Sequence, residues 1–137
     1  MFRTAIIKSL QAYLQARYTG PVKILKQEDD ETLSGPYCLV RVGSIEDMGM
    51  GQTEIWDCNV LVAVMQDAEV TPIESAEAVA AALFATLADP EDIIENLSPD
   101  IAVSTWQPLT QEAAIEGARW QHVAGFRLVA GPIDPNS

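Results

Sequence analysis

One histidine, two cysteines and twenty carboxylates are the residues of this chain that could carry chemistry. His122 is the only imidazole, and it lies between Trp120 and Ala124 on the apolar phase of an alternating run. Nucleophilic catalysis needs a serine or cysteine beside a base. An imidazole on an apolar strand face reads instead as a buried, hydrogen-bonded structural histidine. Cys38 and Cys58 fall on the inward phase of predicted strands, with no CxxC spacing and no companion histidines, and read as buried free thiols. Adjacent strands leave a bridge between them open. A histidine-based metal centre cannot be built from a single histidine. The run Glu28-Asp29-Asp30-Glu31 lacks the alternate-position ligands and central glycine of a calcium loop, and reads as a solvated loop. Met48-Gly49-Met50-Gly51 lacks the lysine, the Ser/Thr and the following helix of a phosphate loop. Paired-carboxylate catalysis needs two acids at a defined separation across a cleft, and nothing in the sequence nominates a pair. No catalytic, cofactor-binding or metal-binding residue is assigned, and the chain reads as a non-enzyme.

The elements that would position these residues are legible from periodicity. Phe2, Ala5, Ile6, Leu10, Tyr13 and Leu14 recur at helical spacing with Lys8, Gln11, Gln15 and Arg17 opposite, until Gly20-Pro21 ends the pattern. A short strand is expected over Val22 to Lys26. Tyr37 to Ile45 alternates with Cys38, Val40 and Val42 inward. Glu54 to Met65 alternates with Trp56, Cys58, Val60, Val62 and Val64 on one face and Asp57 and Asn59 on the other. At roughly 3.3 Å per residue, twelve residues span close to 40 Å, about twice a typical strand, so part of this strand is expected to project beyond its sheet. The two runs read as an extended β-hairpin with a glycine-rich tip.

Thr71-Pro72-Ile73-Glu74 carries the pattern of a capping box. The helix after it would bury Ile73, Ala76, Ala80, Leu83, Phe84 and Leu87, and its many alanines permit close approach to a sheet. Asp89-Pro90-Glu91-Asp92 reads as a fresh cap on a short helical turn through Asn96. Beyond Asp100, Ile101, Val103 and Thr105 form one strand face with Trp106 on the other, and Pro108 marks the end or an edge of that strand. Gly117 to Gly131 is a last strand, with Ala118, Trp120, His122, Ala124, Phe126, Leu128 and Ala130 on one side and Gly125 at a bulge or close approach. The tail after Pro132, residues 132–137, is expected to be disordered.

With 137 residues and 48% apolar composition, the chain suits one α+β domain, in the order α-β-β-β-α-β-β, with two main helices on one face of a mixed or antiparallel sheet. No apolar run reaches the ~18 residues of a membrane span, and the start lacks the apolar block of a signal peptide, so a cytosolic origin is expected. The net charge of −12 is unevenly spread. Residues 1–26 carry five Lys/Arg and no acid; residues 27–100 carry seventeen Asp/Glu against Arg41 alone. That acidity argues against a surface that grips nucleic acid through its phosphates. It also allows a basic element of one copy to meet an acidic face of the next. The uncovered sheet face, with Ile55, Leu61, Ala63, Val123 and Val129, is semi-apolar and predicts association, with head-to-tail contacts closing into a ring favoured over a two-fold dimer.

The helix "RTAIIKSLQAYLQ", the strand "TEIWDCNVLVAV", the alanine-rich helix "PIESAEAVAAALFATL" and the closing strand "GARWQHVAGFRLVAG" together cover most of the chain. In this order they resemble the tail terminator and tail-to-head joining proteins of long-tailed bacteriophages, small acidic α+β subunits that form hexameric rings. The resemblance implies a virion protein of the tail or neck, assembled in the host cytoplasm, whose ring caps the tail tube, stops its growth and joins it to the head. Its partners would be further copies of itself, tail-tube proteins and head-connector proteins. DNA would pass through the lumen without specific binding, and neither cofactor nor membrane is involved. The hairpin tip, with Asp47, Met48, Met50 and Gln52, is the candidate for partner or lumen contact; Lys8, Arg17, Glu74 and Glu77 are the candidates for contacts between copies. A head-closure protein, a small oligomeric module binding a ligand or peptide, and an acidic enzyme using carboxylates alone are the alternatives.

Overall fold

Ile6, Leu10, Tyr13 and Leu14 give the first segment a single apolar stripe, and it folds as helix α1, Phe2–Arg17, with all four side chains buried. The structure, a computed structural model, describes residues 2–24, 36–47, 55–97 and 101–132. After α1 come β1 (Lys23–Ile24), β2 (Tyr37–Asp47) and β3 (Trp56–Asp67). Helices α2 (Ile73–Thr86) and α3 (Pro90–Asn96) follow, then β4 (Ile101–Glu116) and β5 (Arg119–Pro132). The chain is therefore α+β, in the expected order, with the short turn after Asp89 forming a third helix.

The five strands form one sheet in the order β1-β2-β3-β5-β4, with β1 parallel to β2 and the other neighbours antiparallel. Alternation sets which side chains face the helices. Cys38, Val40 and Val42 of β2, Cys58, Val60, Val62 and Val64 of β3, and Ala124, Phe126, Leu128 and Ala130 of β5 are all buried on that face. They meet Ile6, Leu10 and Leu14 of α1, Ala80, Leu83 and Phe84 of α2, and Ile93 of α3 in one core. Each fully buried Val, Leu, Ile or Phe side chain contributes about 1.5–3 kcal/mol by leaving water. The free thiols Cys38 and Cys58 belong to this core. Cys38 pairs with Val64, six places along β3 from Cys58, so the two thiols stand roughly 20 Å apart along the strand and no bridge forms.

Three sequence expectations change in the folded chain. All twelve residues of β3 pair with β5, so the described length of β3 stays within a sheet of comparably long strands. Helix α2 has Pro72 as its N-cap, with no side-chain capping bond. Thr71 therefore lies one place too early for a capping box; its carbonyl is taken by the Trp120 indole N–H at 2.8 Å, and Ile73 is half exposed rather than buried. Trp106 is buried on the same face as Ile101, because a bulge between Val103 and Thr105 resets the alternation of β4. The cap at Asp89 forms as expected, its carboxylate accepting from the backbone amides of Glu91 and Asp92 with Pro90 in the first turn.

Helix α2 is held at three points by side chains from the sheet. Trp120 bonds the carbonyl before its start, Gln66 donates to the Ala76 carbonyl at 2.8 Å, and Trp106 donates to the Leu87 carbonyl at 2.8 Å. Helix α3 is tied to α1 through Asp92, which accepts from the Tyr13 hydroxyl and from Arg17 Nε. The β4–β5 hairpin turns at Gly117-Ala118, with Gly117 at φ 62°, the backbone that a tight two-residue turn with glycine in first place requires.

Candidate functional site

Helix α2 crosses the sheet above β5 and leaves the second half of β4 uncovered. From Gln107 to Ile115 every described residue of that edge strand is exposed. Between the two lies a cleft of about 300 Å³. One wall carries Glu77, Ala80 and Phe84 at helical spacing on α2; the other is the Gln111–Ala113 segment of β4; His122 of β5 forms the floor. The helix period puts Glu77, Ala80 and Phe84 on one face, and β5 alternation puts His122 in phase with Ala124 and Phe126 beneath them.

His122 is only 6% exposed, yet neither ring nitrogen has a hydrogen-bond partner among the described residues. The expected hydrogen-bonded structural histidine is thus buried but unpaired. Its neighbours explain why: Ala80, Ala113 and Ala124 offer no polar side chain, and the strand amides around it are committed to the sheet. A buried polar group without a partner costs about 1–3 kcal/mol, so a cleft that ends on one favours an occupant able to satisfy it. Glu77 is exposed at the rim and makes the mouth negative, whereas Glu112 borders the cleft through the β4 backbone and, opposite Val123, belongs to the other face of the sheet. The lining contains no serine, cysteine or threonine to act as a nucleophile. Among the described residues no group of three or more His, Cys, Asp or Glu is placed to hold a metal ion.

The other predicted site residues are dispersed. Lys8 is exposed on the outer side of α1. Arg17 is engaged at the α1–α3 junction, its Nε 2.8 Å from Asp92 and its guanidinium 4.2 Å above the Tyr13 ring, with about a third of the side chain left exposed. That pairing, with the Tyr13 hydroxyl bond as the larger cause, holds the Asp92 carboxyl below its ordinary value. Burial and the same bond push the Tyr13 hydroxyl well above its own. Glu74 is exposed in the first turn of α2. Asp47 ends β2, while Met48, Met50 and Gln52 of the hairpin tip lie outside the described residues, as do residues 133–137.

The sheet face opposite the helices has features of its own. Tyr37 and Leu39 are buried there with Met65 beside them, and Arg119 lies 5.3 Å from the Tyr37 ring centre and donates to its hydroxyl. Arg127 grips Asp57 with bonds of 3.1 and 2.8 Å, pairing two residues the sequence left unassigned. Between these clusters a shallow hollow of about 370 Å³ is lined by Leu61, Leu109, Thr110 and Gly125. Leu61 is 40% exposed and Leu109 50%. The sequence signal for Leu109 was hidden, because a second bulge between Pro108 and Thr110 displaces it. Among the described residues, no helix is long and apolar enough to cross a membrane. No protein-family model matches this chain, and no curated protein matches it.

Proposed function

We propose that this protein is a tail terminator, or tail-completion protein, of a long-tailed bacteriophage: a subunit whose ring caps the tail tube and joins it to the head. The observation that carries the reading is the one-sided sheet. All three helices pack on one face, while the other keeps Leu61 and Leu109 about half exposed, and the edge strand β4 is open from Gln107 to Ile115. An open edge with partly apolar surface beside it favours contact with further protein. The uneven charge supports a contact in which unlike patches meet, the arrangement that closes into rings when the rotation allows it.

The mechanism is steric and electrostatic. One side of the ring pairs with the last layer of the tail tube, and the other lacks the surface that would accept another tube layer, so growth stops. Acidic residues around the lumen keep passing DNA from adhering, through repulsion that reaches about 8 Å at physiological salt. The hairpin tip beyond Asp47 is the proposed contact with tube or lumen. Light scattering across a concentration series, with negative-stain images of the same samples, tests the reading. Rings of about six copies are the expected result, together with arrested polymerisation when the protein is added to growing tail tubes. A chain that stays monomeric and leaves tube growth unchanged overturns it. The hollow at Leu61 and Leu109 favours a second reading, a module binding an apolar peptide segment; saturable binding there without ring formation would select it.

A further inference from the structure

We propose that the cleft between α2 and β4 is a socket for the Lys8 side chain of a second copy of this chain. The inference rests on the ring reading above and names the contact that would join its subunits. Three observations converge on it.

The socket lacks a charged donor. His122 closes the cleft with two ring nitrogens that find no partner among the described residues, and Glu77 offers a carboxylate at the rim. A neutral imidazole presents one acceptor nitrogen, and a lysine ammonium has three donors and no acceptor. One ammonium entering the cleft can donate to Glu77 and to the imidazole together, while the second ring nitrogen falls to the Gln111 amide at the rim or to water. The Glu77 carboxylate at the mouth disfavours a carboxylate or phosphate as occupant.

The available cation is Lys8. Among the described basic side chains, Arg17 is bonded to Asp92, Arg119 to Tyr37 and Arg127 to Asp57, and Arg41 has interactions of its own. Lys8 and Lys23 remain, both exposed. In the parallel pairing Lys23 stands opposite Tyr37, whose side chain lies on the helix-free face, so Lys23 shares that face and points away from any contact with the cleft side. Lys8 projects from α1, on the helical side of the sheet that also carries the cleft. Its four-carbon stem can lie along Ala80, Ala81 and Phe84 while the ammonium reaches the floor.

The two patches belong to different elements, so the contact joins unlike surfaces. Its opposite charges match the basic start and acidic middle of the sequence.

The test uses the full chain and its single histidine. Light scattering and sedimentation give the association constant for the wild type, K8E, E77K, the paired K8E/E77K variant and K23E, and ¹⁵N-detected spectra follow the His122 ring nitrogens in each. The expected result is association weakened about tenfold or more in K8E and in E77K. Recovery is expected in the paired variant, and K23E should behave as wild type. The His122 ring signals should shift on association in the wild type and not in K8E. If the wild type associates but K8E and E77K associate equally well with unchanged His122 signals, the socket is overturned while the ring reading stands. A wild type that remains monomeric at every concentration overturns the socket, and if it also leaves tube growth unchanged the ring reading falls with it.

Discussion

The Trp106 ring lies flat against Phe126, with centroids 4.5 Å apart and planes inclined by 18°, and its indole nitrogen donates to the Leu87 carbonyl at 2.8 Å. One side chain thereby joins the edge strand, the neighbouring strand and the end of α2. The bulge between Val103 and Thr105 is what turns it inward. Replacing Trp106 with Phe keeps a stacking ring and removes the donor, which leaves the Leu87 carbonyl unpaired. Urea unfolding should show a loss of about 1–3 kcal/mol with little change in slope. A variant as stable as the wild type would show that the carbonyl finds water or another donor.

Asp92 links α1 to α3, and its folded carboxyl is held below the ordinary value by the Tyr13 and Arg17 bonds. A depressed carboxyl contributes stability that is present above the unfolded value, near pH 4, and lost as pH falls through the folded one. Acid titration of thermal stability should therefore steepen below about pH 4 in the wild type and flatten there in Asp92→Asn. Equal acid limbs would remove Asp92 from the account.

Tyr13 shifts the other way, raised by burial first and by the Asp92 bond second. The unfolded chain ionises first, so stability is full below about pH 10 and falls as pH rises above it. Tyr13→Phe should lose that alkaline limb while being less stable at neutral pH. An alkaline limb of the same depth in the variant would assign it to other groups.

Cys38 and Cys58 are buried, and burial pushes the Cys38 thiol up to about 12. The thiolate is the reactive form, so at pH 8 the native protein should react negligibly with a thiol reagent and should show both thiols once unfolded. Rapid native labelling would mean that the sheet opens locally near β2.

Gly117 adopts φ 62° in the β4–β5 turn, and a side chain there would meet nothing within 4 Å. The cost of Gly117→Val is therefore one of backbone conformation alone, about 1–2 kcal/mol. Gly117→Asn, which tolerates that conformation, should cost less. Equal losses in the two variants would point to a different turn.

The sequence determined by itself the elements whose side chains answer to one local rule. The apolar stripe of α1, the inward phase of β2, β3 and β5, the Asp89 cap and the buried thiols all follow from 3.6- or 2-residue periodicity and short-range hydrogen bonding, which need no knowledge of neighbours. Tertiary structure decided the rest. Two bulges reset β4 at Ser104 and Leu109, carrying Trp106 inward and Leu109 outward, because the longer edge strand must stay in register with β5. The Trp120 bond to Thr71 accompanies a helix start one residue later than the capping pattern indicates. Arg17, free to pair anywhere by sequence, was taken by Asp92, 75 residues away. The candidate socket belongs to this second class: Glu77 is distant in sequence from Gln111 and His122, and only the packing of α2 against the β4–β5 hairpin leaves the imidazole buried, and unpaired among the described residues, beneath the Glu77 carboxylate.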